Sequence, residues 1–470
     1  MKKTILKGLC VAALLSAGGL SLASCGGGSS SSSGDITFWH TMGQENQATL
    51  NNIIEKFNKQ EGHADIKIKH SSQGGYEDIY NKLIKAIPAK TTPVMAFCYP
   101  DHVADYINAG AVVNLDDLIK ETYTSTGKDK SAADYNVEDD VNDFITPFLK
   151  EGQEYAKEGT YSMPFSKSTE VMFYNASYLK KNGFVDKDGK AIVPTKWENE
   201  ADPTDLTALI NLCRAIKAKD PSITPLGYDS DDNLFITMCK QLNIPYTSIK
   251  DGKGSFDFDN PQSRAMVEKV KGWYDEGLIK TKGTIEGNSY TSTLFTKQKL
   301  IFSIGSTGGT KYNKPAQDAD GNFEFAAEVA PVPGQLTKNC ISQGPSICFF
   351  KNAKISEEQT KTAFEFYKFL TNPENSAAYS ILTGYEPVRS SSYETDIYKA
   401  HLNAEVQTIF TKVANITTTL QDDYFTSPAF KGSATARIQA GGILTQYLLG
   451  TKTLDKAYSD AMTNCQLAAI

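Results

Sequence analysis

The chain has 470 residues, 40% of them hydrophobic, 22% charged and 10% aromatic, a balance that excludes a disordered, collagenous or polytopic membrane protein. Its length allows two or three domains, or one large two-lobed unit. The formal charge is -7 and no Lys/Arg block stands out, so nucleic acid drops out as a partner.

The first 34 residues depart from this picture. Lys2, Lys3 and Lys7 form a positive leader, and a mainly apolar stretch from Leu9 to Leu22 follows, which together read as a signal peptide. Ser16, Gly18, Gly19 and Ser21 interrupt the stretch, leaving it too short and weak for a span of ~20 apolar residues. Leu22-Ala23-Ser24-Cys25 resembles the bacterial lipobox, whose cysteine is lipidated and becomes the new N-terminus; Cys25 is then the membrane anchor. The alternative is ordinary cleavage near Ser24. Gly26–Gly34 reads GGGSSSSSG, a coil reaching roughly 15–18 Å, enough to hold a folded body just off a lipid surface. Loss of the three leader lysines takes the formal charge from -7 to -10, and such a body has no reason to lie flat on an anionic membrane.

From Asp35 the pattern alternates strand and helix. Ile36 and Phe38 alternate with polar residues, then Leu50, Ile53, Ile54 and Phe57 recur at helical spacing. Asp65–Lys69 alternates again, Tyr80, Leu83, Ile84 and Ile87 mark a second helix, Val94–Tyr99 a short apolar strand, and another helix closes at Gly110. These units predict a sheet with helices on its faces, where ligands sit beyond the carboxyl ends of strands. A polar stretch follows from Thr122 to Asp140, and Tyr161–Tyr174 reads as a turn and strand. Helices are predicted over Asp205–Lys219, Leu234–Leu242 and Gln262–Tyr274. Leu300–Ile304 predicts a buried strand running into Gly305-Ser306-Thr307-Gly308-Gly309, with a helix start after it. The last 120 residues read chiefly as helix, with a capping box at Ser356 and Gln359 and a stop before Asn372-Pro373.

Catalytic signatures are missing. Gly305–Lys311 fails the phosphate-loop spacing because Thr310 stands at the second glycine position, and neither H-E-x-x-H nor G-x-S-x-G occurs. Asp231-Asp232 could serve a glycosidase, although adjacent acids in a loop are usually just solvated. Cys98, Cys213, Cys239, Cys340, Cys348 and Cys465 show no metal-site spacing; most sit in apolar context and are expected as free thiols, with Cys340 and Cys348 the candidate pair if one forms.

What remains are clusters suited to binding. The strand into Gly305–Gly309 exposes backbone N–H groups and hydroxyls fit for an anion or a sugar hydroxyl, or is a plain turn. Trp39-His40, Tyr76 after Gly74-Gly75, Pro164–Thr169 and Gly384-Tyr385 offer aromatic faces and hydroxyls, and each alone reads as packing or turn chemistry as readily as a contact.

In their order these clusters resemble the extracellular solute-binding proteins that feed ABC importers, specifically the glycerol-3-phosphate-binding branch of the maltose-binding-like group. The resemblance is carried by ITFWHTMGQ at 36–44, SQGGYED at 72–78, MPFSKSTEVMFYN at 163–175, SIGSTGG at 303–309, NPENSAAYSILTGYEPV at 372–388 and TARIQ at 435–439. It implies a type II periplasmic-binding-protein-like α/β fold, with a ligand cleft between two α/β lobes. The lobes are expected at 35–149 plus 300–348 and at 150–299 plus 349–470. It also implies ligand contacts from Tyr76, Ser168, Ser306, the backbone N–H of Gly344, Tyr385 and Arg437, the arginine suited to bidentate recognition. Trp39 belongs to the opening strand motif and joins the candidates. Two positions depart from the family pattern: its acidic residue after the third strand faces Pro100, so that Asp101 replaces it only with a one-residue shift, and its tryptophans after Gly227-Tyr228 face Asp231, Asp232 and Phe235. Asp232 there suits sugar hydroxyls better than phosphate. The expected function is a lipid-anchored binding protein on the outer face of a bacterial membrane, monomeric and without a cofactor. It would capture a sugar or glycerol-3-phosphate-type solute by lobe closure and deliver it to permease subunits with a separate ATPase. A surface glycoside hydrolase and an adhesive or signalling lipoprotein are the alternatives.

Overall fold

The computed structural model describes residues 35–124 and 136–470. The signal peptide, Cys25 and the Gly/Ser tether lie outside the described residues. Fourteen strands are described: β1 (Ile36–His40), β2 (Ile68–Ser72), β3 (Met95–Cys98), β4 (Met163–Pro164), β5 (Glu170–Asn175), β6 (Leu226–Tyr228), β7 (Thr247–Lys250), β8 (Lys253–Phe256), β9 (Ile279–Thr281), β10 (Phe302–Ser306), β11 (Ala327–Pro331), β12 (Cys340–Ile341), β13 (Ser346–Phe349) and β14 (Tyr424–Phe425).

Ten of them make two five-stranded mixed sheets. The first runs β2-β1-β3-β13-β4, with β1 parallel to β2 and β3, and β13 antiparallel to β3 and β4. The alternation in β1 is as predicted: Ile36 and Phe38 are fully buried and Trp39 half-buried. The second strand lies three residues beyond the predicted Asp65–Lys69. It is an edge strand whose register is set by the ladder to β1, Ile36 opposite Ile68 and His40 opposite Ser72, so its own polar alternation does not fix its limits. Helices Gln44–Asn58 and Tyr76–Ala89 cover the sheet through Leu50, Ile53, Phe57, Ile79 and Leu83.

The second sheet runs β11-β5-β10-β6-β9. This corrects the expected lobe limits. The strand Phe302–Ser306, expected in the first lobe, pairs antiparallel with β5 on one side and parallel with β6 on the other, at the centre of the second sheet. Fully buried Ile301, Phe302 and Ile304 belong there, because an apolar run without alternation needs cover on both faces. Conversely Tyr161, Met163 and Phe165, and Phe364, Tyr367, Leu370 and Val388 from beyond residue 349, pack in the first core. Helices Ser433–Leu448 and Leu454–Ala469 complete the second core through Ala440, Leu444, Tyr458 and Ala461.

Segments 165–169, 332–345 and 426–432 link the two halves, and β12, within the second of these, pairs in parallel with β14. The helix Glu357–Leu370 starts at the predicted capping box: Ser356 Oγ accepts from the Gln359 amide at 3.1 Å, while Gln359 Oε1 accepts from the Ser356 amide at 3.0 Å. All six described cysteines are buried free thiols, Cys340 and Cys348 included. No described helix is long and apolar enough to cross a membrane.

Candidate ligand-binding site

A cavity of about 990 Å³ opens between the halves, near the carboxyl ends of β3, β6 and β10. Of the nine predicted ligand contacts, Tyr76, Asp101, Ser168, Asp232, Ser306, Tyr385 and Arg437 line it.

Tyr76 is placed by a turn that only glycine makes. Gly74 has φ +101°, and a Cβ there would lie 2.4 Å from Asp78 Oδ2, which accepts instead from the Gly75 amide at 2.8 Å. The helix Tyr76–Ala89 therefore starts with its tyrosine facing the cleft, where the ring stacks on Tyr99 at 4.1 Å between centroids. Tyr99 ends the apolar run of β3 and precedes the helix Pro100–Asn108, whose second residue is Asp101. Tyr385 lies against the glycine-rich turn: a Cβ on Gly308 would meet its ring carbon at 2.6 Å, so the glycine admits the ring. The helix start expected at that turn is a 3-10 segment over Thr307–Asn313, opened by Ser306 Oγ accepting from the Gly308 amide at 3.2 Å. Ser306 Oγ also reaches Ser168 Oγ at 3.3 Å.

Arg437, on the helix Ser433–Leu448, is held on two sides. Its Nη1 donates to Asn233 Oδ1 at 2.7 Å and to Asp232 Oδ2 at 3.0 Å, and its Nε lies 3.3 Å from Asp101 Oδ2. Burial works against its charge, but Asp232 and Asp101 outweigh it and raise its pKa above the ordinary arginine value. Asp101 comes from the first half and Asp232 from the second, so the guanidinium bridges the cleft. Asp101, expected only with a one-residue shift, is in the cavity lining.

Two predicted contacts lie elsewhere. Trp39 sits within β1 and packs half-buried against the first core, away from the cavity lining. Gly344 is a crossing point: at φ +87° a Cβ would lie 2.3 Å from the Ser166 carbonyl oxygen, and the Gly344 carbonyl accepts from Lys167 Nζ at 3.3 Å. Its neighbour Gln343 lines the cavity instead and pairs with Ser168 through two backbone hydrogen bonds of 2.7 and 3.0 Å. Lys167 is fully buried and ion-paired with Glu151, whose carboxylate also accepts from Ser342 Oγ at 3.2 Å. The suspected acid pair separates. Asp232 faces the cavity, whereas Asp231 is not in its lining and accepts from the Gly283 amide at 2.8 Å and Thr445 Oγ1 at 2.9 Å.

Residues the sequence reading missed include Tyr99, Glu170 and Asn233. Glu170 begins β5; burial pushes its pKa up to about 7 while hydrogen bonds from Tyr228 and Asn233 pull the other way. Its signal was the polar residue ending the S-T-E run at the start of a wholly buried strand. Tyr99 was legible from the rule that ligands sit at strand carboxyl ends. Lys282 and Tyr290, which also line the cavity, with Lys282 Nζ 4.2 Å from the Tyr290 ring centroid, had no signal in the sequence.

Residues 52–406 match the profile of bacterial extracellular solute-binding proteins. The chain belongs to this family. It is 24% identical over 388 residues to the sn-glycerol-3-phosphate-binding periplasmic protein UgpB of Escherichia coli O1:K1, covering 79% of each chain. Its fold is that of UgpB from Mycobacterium tuberculosis, solved with glycerophosphocholine, at a TM-score of 0.69, 19% identity and coverage of 93% of this chain and 98% of that one. The GacH receptor of Streptomyces glaucescens, solved unliganded and with acarbose, superposes with a TM-score of 0.66 and 18% identity over 92% and 97% of the two chains. The fold is thus type II, with two α/β halves around a cleft, as the sequence resemblance implied.

Proposed function

We propose that this chain is the solute-capturing subunit of an ABC importer, taking a polyhydroxylated, carbohydrate-class solute into the cleft and delivering it to permease subunits driven by a separate ATPase. The carrying observation is the cavity itself, in which residues from both halves and from the linking segments converge on one space of about 990 Å³. That volume lies at the upper end of small-molecule sites and suits roughly two or three sugar rings. Its aromatic surfaces, Tyr76, Tyr99 and Tyr385, can stack on the C–H faces of pyranoses, while Ser168, Ser306 and Asn233 exchange hydrogen bonds with hydroxyls.

The protein's residues bind and orient; no bond of the solute is made or broken. The solute favours the closed arrangement because contacts from Tyr76 and Asp101 on one half, and from Asp232 and Arg437 on the other, form together only when the halves meet. The chain acts as a monomer outside the cell, tethered through lipidated Cys25 and the nine-residue Gly/Ser coil. A second reading, a glycerol phosphate or its diester, draws on the names of the relatives and on Arg437.

A thermal-shift panel of glycerol-3-phosphate, glycerophosphocholine and mono- to tetrasaccharides tests this directly, since a ligand at 100 times its Kd stabilises by ~2.7 kcal/mol. A shift with saccharides, and recovery of the saccharide unchanged, is the expected result. Hydrolysis of the saccharide, or a panel without any shift, sinks the reading.

A further inference from the structure

Arg437 is the obvious anchor for an anion in this cavity, yet a carboxylate stands against each of its recognition edges. A guanidinium grips phosphate through two parallel N–H groups on one edge, either Nε with Nη2 or Nη1 with Nη2. Nε faces Asp101 Oδ2 at 3.3 Å, and Nη1 faces Asp232 Oδ2 at 3.0 Å and Asn233 Oδ1 at 2.7 Å. Each bidentate edge is therefore interrupted by a carboxylate, and a phosphate brought to the remaining Nη2 would lie beside two negative charges. The rest of the lining does not redress the balance. Glu77, Glu170 and Asp229 share the cavity, and the other lining cation, Lys282, sits over the Tyr290 ring.

We propose that Asp101 and Asp232 are specificity determinants: they close Arg437 to phosphate monoesters and reserve the cavity for solutes without net negative charge. This rests on the reading of the cavity as the ligand site. For a neutral polyol the same cluster is well matched. The carboxylates accept from hydroxyl groups while Nη2 donates to a neighbouring oxygen, a mixed pattern that the doubly ionised phosphate of a monoester cannot satisfy because its oxygens only accept. The determinant is assembled across the cleft, Asp101 on the helix Pro100–Asn108 and Asp232 on the helix Asp231–Gln241, so neither half carries it alone.

The test is calorimetric titration at fixed ionic strength with inorganic phosphate, glycerol-3-phosphate and maltotriose. Wild type should give no saturable signal with either phosphate, and neither should compete with any saccharide that binds. The double variant Asp101→Asn/Asp232→Asn removes both carboxylates from the arginine and should bind glycerol-3-phosphate at least ~10-fold more tightly than wild type, weakening as salt is raised. Asp101→Asn alone, in which Asp232 and Asn233 still hold the guanidinium, should move in the same direction and serves if the double variant does not fold. Wild type binding glycerol-3-phosphate as tightly as the variants do overturns the proposal, as do folded variants that remain blind to phosphate while wild type takes up saccharide. A wild type that binds nothing of either class overturns instead the site reading on which the proposal stands.

Discussion

Glu386 shows how a single residue couples this fold to pH. Its carboxyl is buried between the linking segments, with Oε1 accepting from Tyr424 OH at 2.6 Å and Oε2 without a hydrogen-bond partner, and burial pushes its pKa up to about 8. A carboxyl whose pKa is higher folded than unfolded binds more protons in the native state. Its contribution is complete below about 4.5 and is lost as pH rises towards about 8. Glu170, at about 7, acts in the same direction over a narrower window. Between about pH 6.5 and 8, above the range in which the lowered pKa values of His40, His70, His102 and His401 add stability as pH rises, thermal unfolding should therefore show stability falling. Glu386→Gln, which keeps an acceptor for Tyr424, should raise Tm by at least ~2 °C at pH 8.5 and leave it nearly unchanged at pH 5. A Tm difference independent of pH would refute this. At this scale the sequence was legible where a residue sits in a short motif with its own turn, as Tyr76 after two glycines or Ser306 after a buried strand. Trp39 and Gly344 carried the same motif signal but answer to packing: one ring belongs to a strand's half-buried alternation, the other residue to a place where two backbones touch.

At the level of elements, the linking segments and the cavity lining decide behaviour. Gly344→Ala places a methyl against the Ser166 carbonyl at a positive φ, so it should destabilise by about 2–3 kcal/mol, read as a lower urea midpoint with an unchanged slope. Gly308→Ala instead intrudes on the Tyr385 ring and should cost ligand affinity more than stability. Equal losses in both would place Tyr385 in packing alone. Tyr290 and Lys282 line the cavity together. Tyr290→Ala should weaken a trisaccharide by ~5–10-fold while sparing a monosaccharide, as expected for one lost stacking contact. A uniform loss would put Tyr290 in the central site. Helices were the most legible elements, since Ser356–Gln359 and Leu50–Phe57 announce themselves in local spacing. The edge strand β2 was not, because its limits are dictated by its partner.

For the molecule as a whole, the ordered motifs conveyed two α/β halves and a cleft but not which segments build each half. The strand Phe302–Ser306 looks from its own residues like any buried strand, and membership in a sheet is decided by pairing with β5 and β6, some 130 and 75 residues earlier in the chain. The same long-range pairing makes the cavity a joint product, which is what the proposed closure on a solute requires. The most direct measurement is calorimetric titration of the wild-type protein and of Arg437→Ala with the saccharide giving the largest thermal shift, followed by recovery of the solute. The account predicts one saturable site per chain, binding weakened by at least ~100-fold in the variant, and a solute recovered unchanged. Failure of every saccharide to bind, or binding that survives undiminished without Arg437, would contradict it.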